Sequence, residues 1–108
     1  MSVLSEQAFL VLTALTNEPQ HGYAIVRTVR ELSEGRVELR VGTLYGVLDR
    51  LAADGMIELD REEIHQGRLR RYYRPTDPGL SLLAAETARL TANAHAANTA
   101  LRTRGLLA

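Results

Sequence analysis

Between positions 40 and 57 the chain reads RVGTLYGVLDRLAADGMI, and its apolar residues fall at helical intervals. Leu44, Leu48 and Leu51 recur at steps of four and three, with Val47 and Ala52 widening the stripe. Gly55 follows the last periodic residue, where helices commonly stop. The opposite sides carry Thr43, Tyr45, Gly46, Asp49, Arg50 and Ala53. The pattern predicts a helix of about three turns, buried along its back and small or hydrogen-bonding along its front.

Upstream, Ser5 is a helix cap, and Ala8, Phe9, Val11, Leu12 and Leu15 form a face broad enough for burial on more than one side. Asn17-Glu18-Pro19-Gln20 breaks that helix. HGYAI at 21–25 opens a second one, running to about Ser33 with Ile25, Val29 and Leu32 inward and Val26 beside them; Gly35 ends it. Positions 36–41 alternate strictly, with Val37, Leu39 and Val41 against Arg36, Glu38 and Arg40, which predicts a short half-buried strand. Downstream, IELDREEI and RLRRYYRP flank the loop His65-Gln66-Gly67 and predict a hairpin. A loop centred on Gln66 sets Leu59 opposite Tyr73 and Glu62 opposite Arg70. Asp77 is the expected cap of a last helix from about Pro78 to Thr103, striped by Leu80, Leu83, Ala84, Leu90, Ala94, Ala97 and Leu101.

The expected fold is mostly α (α+β): a winged helix-turn-helix over residues 1–76, with the 40–57 helix as reading element and the hairpin as wing. Residues 77–108 then form a long C-terminal helix. Its alanine-rich stripe lacks a cover in its own domain, so a second copy of the chain is the natural partner. The expected dimer interface comprises Leu80, Leu83, Leu90, Ala94, Ala97 and Leu101, with Phe9.

The 108 residues suffice for one such unit. The absence of cysteine excludes disulfides and thiolate metal sites. No apolar run approaches the ~20 residues of a membrane span, and MSVLSEQ lacks the positive region of a signal peptide, so the expected location is the cytoplasm and no membrane partner is expected. Thirteen basic and thirteen acidic residues cancel, which argues against nucleic acid as a partner. Their distribution argues the other way: RLRRYYR at 68–74 holds four arginines and no acid.

HGYAI, GTLYGVLDRLAADGMI and GRLRRYYRPTDPG, in that order, resemble the signature set of the PadR family of bacterial transcriptional regulators. The resemblance spans about Leu4 to Leu83 in motif and extends to the character of the last helix. It departs at Gly46, where a proline is common. It implies a dimeric winged-helix repressor of the short subclass, with a single C-terminal dimerisation helix. A homodimer of this kind is expected to bind a palindromic, inverted-repeat operator in double-stranded DNA, and is compatible with release by a small-molecule effector at the dimer interface. No cofactor is implied.

The candidate DNA-binding residues are Gly42, Thr43, Tyr45, Gly46 and Arg50 on the reading helix and Arg68, Arg70 and Arg71 on the wing. Thr43 and Tyr45 offer hydroxyls to phosphates or base edges; their structural alternatives are a cap and a half-buried ring. Gly42 and Gly46 permit close backbone approach, Arg50 is within reach of phosphate, and wing arginines suit phosphate or the minor groove. Glu62 competes for Arg70. Tyr72 and Tyr73 are expected to pack the hairpin onto the domain. His21, His65 and His95 lie on separate elements, without metal-ligand spacing. Glu62 and Glu63 are adjacent on a strand and point to opposite faces, so they cannot share a substrate; nothing in the chain suggests an enzyme. The competing interpretation, favoured by the neutral charge, is a winged-helix protein-interaction module that does not bind DNA.

Overall fold

The computed structural model describes residues 4–107; positions 1–3, part of the expectation about a targeting signal, lie outside the described residues. The elements run α1 (Glu6–Asn17), α2 (Gly22–Leu32), α3 (Val41–Ala53), β1 (Ile57–His65), β2 (Arg68–Pro75) and α4 (Asp77–Thr103). The two strands pair antiparallel, giving the expected winged helix-turn-helix with a long last helix.

The core lies where α1, α2 and α3 meet. Val11, Leu12, Ala14 and Leu15 of α1 are covered by Ile25 and Val29 of α2 and by Leu44, Leu48 and Leu51 of α3. Full burial of one such aliphatic side chain is worth about 1.5–3 kcal/mol, so this cluster holds α3 by its back and leaves its front exposed. Ser5 caps α1 as expected, its hydroxyl accepting the Ala8 N–H at 3.0 Å. Leu32, expected inward, is 41% exposed at the end of α2.

Residues 36–40 form no strand, and Val41 already begins α3. The alternation itself is real, with Val37 and Leu39 buried between exposed neighbours. The segment lacks a pairing strand: the hairpin's free edge is taken by Gln20, which exchanges backbone hydrogen bonds with Tyr73 at 3.2 and 2.9 Å. Ser33 Oγ receives the Val37 N–H instead, at 3.0 Å.

In the hairpin Leu59 faces Tyr73 as expected, but Glu62 faces Arg71, not Arg70. A bulge between Leu59 and Arg61 shifts the register by one. It turns Asp60 onto Arg61 and Arg74, at 2.9 and 3.0 Å. The turn is correspondingly tighter than expected. Gln66 and Gly67 alone form it, with φ of 51° and 78°, the two left-handed residues of a type I′ turn.

The cap of α4 is Thr76, not Asp77. Its hydroxyl accepts from Gly79 N at 3.1 Å and donates to Gly55 O at 2.6 Å. A carboxylate could only accept, so the Gly55 carbonyl selects the threonine. The first turns of α4 pack on the domain: Gly79 and Glu86 are buried, and Leu83 joins the edge of the core. From Thr87 onward every described residue of α4 is exposed, and the molecule measures 58 × 28 × 22 Å. Among the described residues no helix is long and apolar enough to cross a membrane.

Candidate nucleic-acid interface

A groove of about 730 Å³ separates the front of α3 from the wing. One wall is Tyr45 and Asp49 of α3; the other is His65, Arg68, Leu69, Arg70 and Arg71 of the hairpin; the start of α2, with His21, Gly22 and Tyr23, forms the floor. The groove therefore brings Tyr45 together with all three wing arginines singled out in the sequence. Gly42, Thr43, Gly46 and Arg50 are exposed on α3 outside it.

The start of α3 is left open. Arg40 occupies the cap position without a side-chain hydrogen bond, so Thr43 is not the cap but the third helical residue. The first backbone N–H turned into the helix is that of Leu44, bonded to Arg40 O at 2.9 Å. The preceding N–H groups point outward beside Gly42, where a Cβ would meet nothing within 4 Å. Such a terminus attracts anions through its free donors and the helix dipole.

The wing arginines are not equivalent. Arg71 Nε bonds Glu62 at 3.1 Å, whereas among the described residues neither Arg68 nor Arg70 has a carboxylate in ion-pair range. The bulge produces this difference: it gives Glu62 to Arg71 and sets Arg70 opposite Glu63, which is itself bonded to Arg61 at 2.8 Å. Arg61 also lies over the Tyr72 ring, 3.9 Å from its centroid. Tyr72 in turn meets His21 edge-on at 5.2 Å. This chain of contacts fixes the wing to the start of α2, as expected for Tyr72. Burial lowers the His21 pKa below the usual imidazole value, reinforced by Arg70, Arg27 and His65 and opposed by Glu63.

His21, Tyr23, Asp49 and Leu69 were missed as groove residues. HGYAI was legible as a helix start, but its proximity to the wing depends on the Gln20–Tyr73 bridge, which no local pattern announces. Asp49 was legible as an exposed α3 residue without a reason to place it opposite arginines.

On the expected interface, Leu80, Leu90 and Leu101 are 40, 43 and 38% exposed, and Ala94 and Ala97 are exposed beside them. Phe9 and Leu90 line a second cavity of about 310 Å³ with Leu4, Leu10, Arg36 and Arg89. Among the described residues no group of three His, Asp or Glu side chains is placed to hold a metal ion.

The family model described as "Transcriptional regulator PadR-like family" matches residues 11–85. The chain belongs to the PadR-like family of transcriptional regulators. This PadR-like chain is 39% identical over 57 residues to a transcriptional regulator of Mycobacterium tuberculosis, covering 53% of this chain and 52% of that one. Its fold is similar to that of a PadR family transcription regulator from Clostridium difficile, with TM-score 0.77 and 24% identity over 90% of this chain and 99% of the other. It is also similar to Bacillus subtilis PadR in complex with operator DNA, with TM-score 0.64 and 23% identity over 72% of this chain and 44% of that one.

Proposed function

We propose that this chain is a homodimeric transcriptional repressor that binds an inverted-repeat operator in the bacterial cytoplasm. Residues 1–76 act as the DNA-binding domain and residues 77–108 as the dimerisation helix. The observation that carries the proposal is the groove that sets Tyr45 across from Arg68 and Arg70. A reading helix in the major groove sets base edges before α3, and the wing arginines then stand beside the phosphates of the neighbouring backbone. The Bacillus subtilis relative was solved in complex with operator DNA, which supports DNA as the partner. The exposed leucines of α4 supply the two-fold contact, and the cavity beside Phe9 and Leu90 is the place for an effector that would release the DNA.

Footprinting on the chain's own upstream region, with sedimentation in parallel, tests this. The expected result is salt-sensitive protection of two half-sites about one helical turn apart, ~10 bp or a multiple, by a dimer that Leu90→Asp dissociates. A wild-type monomer overturns the dimer. Absence of protection on every native fragment favours the protein-interaction module, which the zero net charge suits.

A further inference from the structure

We infer that Asp49 is a specificity-determining residue, and that it selects a cytosine in each half-site; the inference rests on the proposed binding of DNA by this chain. Asp49 lies one helical turn beyond Tyr45 on the exposed side of α3 and lines the groove that faces the wing. Among the residues lining that groove it supplies the single carboxylate, against Arg68, Arg70 and Arg71. Carboxylates on the wing are tied to arginines: Glu58, Asp60, Glu62 and Glu63 all have partners between 2.8 and 3.1 Å. Among the described residues Asp49 has no such ion pair, although arginines stand on the opposite wall.

A carboxylate held at a DNA surface has two effects. It repels phosphates, so it weakens binding to every sequence that offers it nothing else. It also accepts hydrogen bonds only, so its charge is compensated at a base edge that donates. In the major groove, cytosine presents the N4 amino group, and guanine and thymine present acceptors at the equivalent edge. Adenine presents its N6 donor beside the N7 acceptor, which repels a carboxylate. The side chain therefore works by exclusion as much as by attraction, and specificity is gained at the expense of general affinity. Arg68 and Arg70 restore the general attraction from the other wall.

The wild-type chain, Asp49→Asn and Asp49→Ala are each used to select duplexes from a randomised library. Dissociation constants are then measured on the wild-type motif, on that motif with the cytosine replaced, and on random DNA. The expected wild-type motif contains one cytosine per half-site whose replacement costs roughly fivefold or more. Asp49→Asn is expected to shift that position alone towards adenine, and Asp49→Ala to lose preference there. Both variants should bind random DNA more tightly than the wild type. A wild-type motif that both variants select unchanged, or an equal loss of affinity on motif and random DNA, overturns the role of Asp49 alone. A wild type that selects no motif overturns the DNA-binding reading and this inference with it.

Discussion

The Tyr45 hydroxyl oxygen stands 3.0 Å from the point where a β-carbon would sit on Gly22. The second residue of the HGYAI motif is thus the seat of an α3 side chain. Alanine at position 22 is compatible with the helix start and gains up to ~1 kcal/mol in conformational entropy, but its methyl displaces the phenol by a few tenths of an ångström. Gly22→Ala is expected to leave thermal stability within about 1 kcal/mol of wild type and to weaken operator binding as Tyr45→Phe does. Equal operator affinity for Gly22→Ala and wild type would show that the Tyr45 position is not used.

Gly46 gives the opposite test. A Cβ there meets nothing within 4 Å, and the residue lies inside α3. Gly46→Ala should therefore stabilise the fold by roughly 0.5–1 kcal/mol. If the bare backbone is what approaches DNA, the same variant binds the operator less well. A gain in melting temperature with undiminished affinity would make Gly46 a neutral helix position.

Gly79 lets α4 lie directly against the backbone of Met56. A Cβ at this position would collide with the Met56 carbonyl oxygen, which already accepts the Thr76 N–H at 3.0 Å. Backbone cannot rotate away as a side chain can. Gly79→Ala is expected to cost about 1–3 kcal/mol, and each kcal/mol lowers the midpoint by ~4–8 °C in a domain of this size. Calorimetry checks it; an unchanged midpoint would mean that α4 is loosely seated.

What the sequence made legible was whatever depends on neighbours along the chain. Helical periodicity located α3, and the Leu59–Tyr73 pairing followed from loop and strand lengths. The bulge escaped because Asp60 is drawn aside by Arg74, fourteen residues away. The strand expected at 36–41 failed because its alternation reports burial, while strand pairing is decided by Gln20. At the site, Tyr45, Arg68 and Arg70 were legible as residue types on exposed elements, but the inequality of Arg70 and Arg71 is a consequence of the bulge. Glu86 and Arg89, paired at 3.0 Å, stand three apart on one helix, but the burial of Glu86 was invisible because it arises only where α4 docks.

His21 predicts a pH dependence of stability. Its folded pKa lies below the ordinary 6.5, chiefly through burial, with Arg70, Arg27 and His65 adding to the effect and Glu63 opposing it. As pH falls below about 6.5, the unfolded chain takes up the proton first, so this contribution is present above that value and is lost as pH drops through the folded pKa. Asp60, Glu63 and Glu86 are held below their usual carboxylate values, each chiefly by an arginine hydrogen bond, so they add losses only at lower pH. The melting temperature should therefore fall between about pH 7 and 5, and His21→Gln should flatten that fall. Parallel curves for the two proteins would assign the slope elsewhere.

The wing predicts an order among its arginines. Arg68 and Arg70 face the groove without an ion-pair partner among the described residues, while Arg71 is held by Glu62. Each phosphate neutralised contributes about 0.9 to the log–log dependence of affinity on salt. A substitution in the proposed dimer removes two contacts, so Arg68→Ala or Arg70→Ala should each shallow the slope by about two units. Their affinity losses on operator and random DNA should match, because phosphate contacts carry no sequence information. Arg71→Ala should change the slope less. Glu62→Gln, which releases Arg71, should steepen it, since the freed guanidinium then turns to phosphate. The titration that decides is binding of these four variants to both DNAs across a salt series. Equal slopes for Arg68→Ala, Arg70→Ala and wild type would remove the wing from the interface and leave Arg71 and Arg74 as partners of the acidic strand alone.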